Sequence, residues 1–191
     1  MKWIIVISLF CLSFSFIYSF INKSNLDLSN NSESFYEYSS VTIDGEEFKM
    51  SNLKGKKVII VNVASKCGYT PQYEGLQKLY TQYKDKVEIL GFPSNDFLWQ
   101  EPGKNSDIKS FCTTKYGVTF PMFEKVKVKK GKNQDPLYTW LSHLELNGIN
   151  NQAPSWNFCK YLINEKGELE NFYSSSIKPL SEEILNFINN E

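Results

Sequence analysis

Residues 58–92 read VIIVNVASKCGYTPQYEGLQKLYTQYKDKVEILGF, and this stretch decides the fold. Val58 to Ala64 (VIIVNVA) is nearly continuous apolar and β-branched, the pattern of a strand covered on both faces. Thr70 is placed to cap a helix with Pro71 at its first position, and Tyr73, Leu76, Tyr80 and Tyr83 follow three or four apart, as one helix face requires. Val87 to Phe92 is a second apolar run of strand length. Strand, helix and strand in so short a span predict a right-handed βαβ crossover, hence a parallel pair.

Working outward, Val41-Thr42-Ile43, Asp44-Gly45 and Glu46 to Met50 predict a hairpin, with Asp-Gly supplying the positive φ angles of a type I′ turn. On the other side a helix is predicted from about Ser106 to Lys115, with Ile108, Phe111 and Cys112 on one face. Asp135 caps another with Pro136 behind it, placing Leu137, Trp140, Leu141 and Leu144 on one stripe. Trp156 to Ile163 and Glu168 to Tyr173, joined by Asn164-Glu165-Lys166-Gly167, predict an antiparallel hairpin, and Leu180, Ile184, Phe187 and Ile188 form the apolar face of a last helix. The order βαβ, helices, ββα gives an α/β chain with a mixed central sheet flanked by helices: the thioredoxin fold, with an N-terminal β-hairpin and an inserted helix. Lys125 to Lys132 (KVKVKKGK) alternates Lys and Val as an edge strand with a wet face would, lysine also blunting such edges. A dock for an acidic reductase is the secondary reading of that run.

The length of 191 residues suits one domain with a real core, and 41% hydrophobic, 15% aromatic and 22% charged residues describe a globular chain. The 21 basic residues balance 21 acidic ones, which gives no electrostatic footprint for nucleic acid. Every basic residue is lysine, so no arginine can clamp a carboxylate or phosphate bidentately. His143 is the single histidine, which removes multi-histidine metal sites, and its place off the apolar stripe reads as a solvated helix residue. Neither metal nor cofactor is expected. Cys11 lies in an uncharged leader, leaving Cys67, Cys112 and Cys159 with no C-x-x-C among them. That excludes the usual zinc spacing, a dithiol motif and a disulfide scaffold, and leaves reactive or buried thiols.

Lys2 precedes the uncharged run Trp3 to Ile21, and Asn22 to Ser34 is polar and low in complexity. The expected organisation is a signal peptide or signal anchor over 1–21, a disordered linker or leader over 22–34 and the folded domain over 35–191. Entry into the secretory pathway follows, possible membrane association through the run, and from there a plastid-like organelle; mitochondrial or cytosolic residence is the alternative.

Cys67 falls in the turn between the first parallel strand and its helix, at the carboxyl end of the strand, where open α/β sheets place their sites. A thiol there meets the unpaired N–H groups and positive end of the helix, with Lys66 beside it, and both favour thiolate at neutral pH. Its polar flanks, Ser-Lys before and Gly-Tyr-Thr after, weigh against a merely packed cysteine. Cys112 sits on the apolar stripe of its helix, which suits packing, and Cys159 reads as a core residue sharing a strand face with Asn157 and Tyr161.

Val61 to Thr70 (VNVASKCGYT), Gly91 to Gly103 (GFPSNDFLWQEPG) and Trp156-Asn157-Phe158 resemble the three signature segments of the glutathione peroxidase family. The resemblance spans Phe35 to Ile188. It implies a thioredoxin fold, reduction of hydrogen peroxide and organic or lipid hydroperoxides, and a catalytic tetrad falling on Cys67, Gln100, Trp156 and Asn157. Ser94, Asp96 and Leu98-Trp99 depart from the common pattern at the rim of the site while the tetrad is complete. Neutral donors suit such a site: Gln100 and Asn157 offer NH₂ groups and the Trp156 indole only donates, so charge on a departing oxygen is met without quenching the nucleophile.

The segment around Cys112 resembles the block in which two-cysteine members keep a resolving thiol, which implies a Cys67–Cys112 disulfide and an unwinding of the helix around Cys112. That disulfide and the lack of arginine point to a thioredoxin-type reductant, with glutathione as the alternative. The short stretch from Val126 to Leu137, where tetrameric animal members carry a longer interface loop, implies a monomer. A peroxide sensor that relays its disulfide to a partner, and an inert thioredoxin-fold binding module, are the rival functions.

Overall fold

The structure is a computed structural model, and it describes residues 34–190. The expected leader and linker over 1–33 lie outside the described residues. A short hairpin, β1 (Ser39–Val41) and β2 (Glu47–Lys49), precedes a four-stranded sheet of β3 (Lys57–Val63), β4 (Val87–Pro93), β5 (Lys160–Ile163) and β6 (Leu169–Tyr173). The sheet order is β4-β3-β5-β6. β3 runs parallel to β4 and antiparallel to β5, and β5 is antiparallel to β6, so the sheet is mixed as the fold class requires. Five α-helices accompany it among the described residues: α1 (Gln72–Tyr83), α2 (Asn105–Tyr116), α3 (Pro136–Ser142), α4 (Leu144–Asn147) and α5 (Glu182–Asn189).

Every residue of β3 is buried, because the two faces of this central strand feed two separate cores. Ile59, Val61 and Val63 pack with residues of α1, α2 and α5. Val58 and Ile60 pack instead with Phe35, Met50, Leu53 and the α3 residues Leu137, Trp140 and Leu141. A strand covered on both sides has no polar face to spare, which is why VIIVNVA does not alternate.

Several local expectations are corrected. The β1–β2 turn is a three-residue loop, Ile43-Asp44-Gly45: Gly45 N–H donates to the Thr42 carbonyl at 2.9 Å and Thr42 N–H to the Glu46 carbonyl at 2.7 Å. Gly45 takes φ +86° while Asp44 stays at negative φ, so the turn is a type I turn closed by a left-handed glycine and not a type I′ turn. Thr70 does not cap α1; Pro71 precedes the helix without a side-chain cap, because the Thr70 hydroxyl is engaged in the Cys67 turn. Residues 125–132 form no strand. Val126 N–H still donates to the Pro93 carbonyl at the end of β4 at 2.9 Å, but Asp96 accepts the N–H groups of Val128 and Lys129 at 2.7 and 3.0 Å, so no ladder continues along the sheet edge.

Asp135 caps α3 as expected, accepting from the N–H of Leu137 and Tyr138, but the helix stops at Ser142. His143 is extended and its Nδ1 lies 2.7 Å from the Thr139 carbonyl, so it is a half-buried joint between α3 and α4, and Leu144 beyond it is exposed. The strand expected from Trp156 begins only at Lys160, since Phe158 adopts φ +69° and no bulky residue holds that angle within a strand. Cys159 therefore precedes β5 and does not share a strand face with Asn157.

The β5–β6 turn is built like the first, with Gly167 at φ +81°. The Tyr36 hydroxyl donates to the Glu165 carbonyl at 2.7 Å, and a Cβ on Gly167 would stand 2.6 Å from the Tyr36 ring. Gly167→Ala is therefore expected to lower stability by about 1–3 kcal/mol, from left-handed strain together with displacement of Tyr36. Urea denaturation checks this; an unchanged midpoint would show that the turn relaxes freely.

Candidate active site

Cys67 lies four residues past the end of β3 and five before the first residue of α1. The turn between them is closed by Thr70, whose hydroxyl accepts the Cys67 N–H at 2.9 Å and donates to the Ala64 carbonyl at 2.8 Å. Cys67 is nearly buried, at 7% exposure, and its sulfur accepts from the Tyr69 N–H at 3.4 Å. The donor at the sulfur is thus a turn amide ahead of the helix and not one of the helix's own free N–H groups.

The other residues of the expected tetrad are brought in by two loops. The Gln100 carbonyl accepts the Lys66 N–H at 3.0 Å, which fastens the 94–101 loop to the residue beside Cys67. The Asn157 side-chain amide donates to Gln100 Oε1 at 3.0 Å. This leaves the Gln100 NH₂ available, and buried Asn157 Oδ1 has no partner among the described residues. The Trp156 ring is half-buried and tilts against the Phe97 ring with centroids 5.7 Å apart. Cys67, Gln100, Trp156 and Asn157 are therefore linked through direct contacts of the loops that carry them.

Asn62, the penultimate residue of β3, holds the 156–159 segment in place, and composition or spacing alone did not single it out. Its Nδ2 donates to the Trp156 carbonyl at 2.9 Å, its Oδ1 accepts the Cys159 N–H at 3.0 Å, and its own carbonyl accepts the Phe158 N–H at 2.5 Å. The signal was present in the sequence as a lone amide inside a β-branched run. A buried amide requires such partners, because each group left unpaired costs about 1–3 kcal/mol. Two more polar groups brace the site. The Lys160 ammonium, fully buried, donates to Gln72 Oε1 and to the carbonyls of Phe158 and Ile177, and burial lowers its pKa to about 8. Glu101, buried beside Gln100, accepts from the Ser65 hydroxyl at 3.0 Å, and burial raises its pKa against the opposing effect of that bond.

Cys112 lies in α2 at 1% exposure, within the same core cluster as Cys67. Burial pushes its pKa up to about 11, and Glu101 acts in the same direction. Its thiol faces the Tyr73 side chain, whose hydroxyl is fully buried without a well-formed hydrogen bond. Cys67, Cys112 and Cys159 are all free thiols. Cys159 is fully buried with its sulfur 3.6 Å from the Ser175 hydroxyl. No cluster of metal-ligating side chains occurs among the described residues.

Residues 35–142 match the glutathione peroxidase family. The chain is 49% identical over 153 residues to a glutathione peroxidase of Lactococcus lactis, covering 78% of this chain and 96% of that one. It is 47% identical over 148 residues to a glutathione peroxidase-like peroxiredoxin of Saccharomyces cerevisiae, covering 77% and 90%. Among solved structures, that of T. cruzi GPX1 superposes with a TM-score of 0.61 at 29% identity, covering 82% of this chain and 97% of the other.

Asn62→Ala leaves the Trp156 carbonyl and the Cys159 N–H without their partner, so stability is expected to fall by about 2–4 kcal/mol. With the tetrad loop released, the rate at which peroxide oxidises Cys67 should fall about tenfold or more. Stopped-flow fluorescence on the folded variant measures it, and an unaltered rate would mean the clamp does not position the site. A second expectation concerns Cys112. With its pKa near 11, thiolate is a very small fraction at neutral pH, so in a Cys67→Ser background Cys112 should resist iodoacetamide until the pH approaches that value or the protein is denatured. Mass spectrometry of the alkylated protein reads the result.

Proposed function

The chain belongs to the glutathione peroxidase family, and on that premise we infer that it is a thiol peroxidase that works through Cys67 and Cys112 and is recycled by a thioredoxin-type dithiol. The observation that carries this reading is the setting of Cys67: a near-buried thiol with an amide donor on its sulfur, beside two loops that bring up an uncommitted Gln100 NH₂ and an unpartnered Asn157 oxygen. A hydroperoxide needs both an acceptor for its O–H and a donor for the oxygen that departs. Asn157 Oδ1 and the Gln100 NH₂ supply them as neutral groups, and the Trp156 indole can only donate.

In the reaction, the Cys67 thiolate attacks the terminal peroxide oxygen and the O–O bond breaks. The departing alkoxide or hydroxide takes a proton and leaves as alcohol or water, and Cys67 becomes a sulfenic acid. The Cys112 sulfur then displaces the sulfenic oxygen as water, closing a disulfide. Two electrons from a dithiol protein reopen it. The geometry of α2 bears on the second step. Its sequence, NSDIKSFCTTKY, is rich in Asn, Ser, Asp and Thr, which favour caps and turns over helix interiors, and only Ile108 and Cys112 are buried. A helix anchored by only two fully buried side chains, though capped at both ends, is the element free to unwind and carry its sulfur to Cys67. A cavity of about 290 Å³ between Ser65, Glu101, Ile108 and Phe111 gives it room to do so.

Hydrogen peroxide and organic or lipid hydroperoxides are the substrates of this reading, in antioxidant defence. We read the chain as a monomer. The uncharged run Trp3 to Ile21 supports entry into the secretory pathway, and a reporter fused to residues 1–40 should then leave the cytosol.

Cys67→Ser is expected to abolish peroxide reduction, since a hydroxyl lacks thiolate nucleophilicity at neutral pH. Cys112→Ser should consume about one equivalent of peroxide and then stall with thioredoxin as donor, because the sulfenic acid has no partner in the chain. Cys159→Ser should keep cycling. Steady-state assays with thioredoxin and with glutathione check all three. Full thioredoxin-driven turnover in Cys112→Ser would remove Cys112 from the mechanism, and turnover with glutathione alone would replace the dithiol donor.

A further inference from the structure

The lysine-bearing segment that forms no strand has another use. With the 95–99 loop it lines a concave groove of about 650 Å³. Leu98 and Trp99 on its rim are 69% and 77% exposed, more than any other large hydrophobic side chain among the described residues. Both sit at φ +50°, a left-handed conformation that bulky residues rarely adopt and that here is not offset by burial of either side chain. The loop is held in that state from below: Phe97 is buried, its carbonyl accepts the Gln100 N–H at 3.1 Å, and Asp96 ties the loop to Val128 and Lys129.

The charge of the groove is positive. Lys125, Lys127 and Lys129 line it, while its one carboxylate, Asp96, is engaged by backbone N–H groups. Lys129 sits over the Phe97 ring at 4.6 Å and Lys125 donates to the Gly103 carbonyl at 2.6 Å, so both ammonium groups are positioned by neutral partners. An occupant must therefore be acidic and bring apolar surface to Leu98 and Trp99. The concavity suits a protruding segment of a folded protein better than a flat bilayer.

The location narrows the occupant further. Trp99 adjoins Gln100, whose carbonyl is bonded to the residue beside Cys67, and Lys125 reaches Gly103 just ahead of α2, which carries Cys112. A protein seated in the groove is thus next to both segments that contribute a sulfur to the disulfide. We propose that the groove under Leu98 and Trp99 is the docking surface for the dithiol protein that reduces the Cys67–Cys112 disulfide, a partner with acidic side chains and an apolar rim around its attacking thiol. This rests on the dithiol-recycled mechanism above. In the docked complex one partner thiolate attacks a disulfide sulfur to give a mixed disulfide and a thiolate on this chain. The second partner thiol then displaces the remaining sulfur, so the partner leaves oxidised and Cys67 and Cys112 regain their reduced state with two protons.

The test compares the full chain with its Trp99→Ser and Lys127→Glu variants, each driven by a thioredoxin of net negative charge and, separately, by dithiothreitol. The ratio of thioredoxin-driven to dithiothreitol-driven turnover should fall about tenfold in each, through a raised KM for thioredoxin. In the parent, that KM should rise with ionic strength, and Lys127→Glu should weaken the dependence. Thioredoxin-driven turnover in the parent with an unaltered ratio in both variants overturns the docking surface and leaves the mechanism standing. Absence of thioredoxin-driven turnover in the parent overturns both. Binding of the parent to phosphatidylcholine–phosphatidylserine vesicles, lost in the variants while the ratio holds, would assign the groove to a lipid surface instead.

Discussion

The side chain of Asn62 is the constraint on which the site depends. It projects from the central strand β3, where it is flanked by buried Val61 and Val63, and spends both ends of its amide on the backbone of the 156–159 segment. Without it, a chain leaving a left-handed Phe158 would have no fixed position beside the Cys67 turn. The strand that forms the core is thus also the strut that sets Trp156 and Asn157. Rigidity at the site is inherited from the sheet, the most buried and least deformable part of the molecule.

Around that strut, the loops are joined by single well-aligned bonds. Thr70 closes the Cys67 turn, Lys66 fastens Gln100, Gln100 receives Asn157, and Lys160 binds the start of α1 to the carbonyls of Phe158 and Ile177. Most of these acceptors are neutral, and the nearest buried carboxylate, Glu101, is bonded to Ser65. A site that must stabilise developing negative charge gains from such surroundings, since fixed dipoles need no reorganisation as the charge forms.

Cys112 introduces the opposing requirement. Its thiol is buried and held protonated in the folded helix, which protects it from adventitious oxidation. On the proposed mechanism it must leave that environment to react, so the helix bearing it is the one that yields. The polar, turn-favouring sequence of α2 and its two buried anchors meet that need, whereas β3 and β5 could not move without exposing both cores.

The sequence by itself determined the βαβ unit, the mixed thioredoxin-fold sheet and the position of Cys67, because continuous apolar runs and helical spacing are local consequences of burial. It also carried the family resemblance that marks Gln100, Trp156, Asn157 and Cys112. Turn types, the end of α3 at Ser142, the late start of β5 and the engagement of Thr70 within the Cys67 turn were decided by tertiary structure. The late start of β5 is set from across the fold by Asn62, whose carbonyl takes the Phe158 N–H; the others rest on bonds between residues three to six apart, which the folded chain selects among competing local geometries. Tertiary structure likewise decided the Asn62 clamp: an amide in a strand announces that it needs partners, but only the folded chain, bringing residues 156–159 back across β3, supplies them.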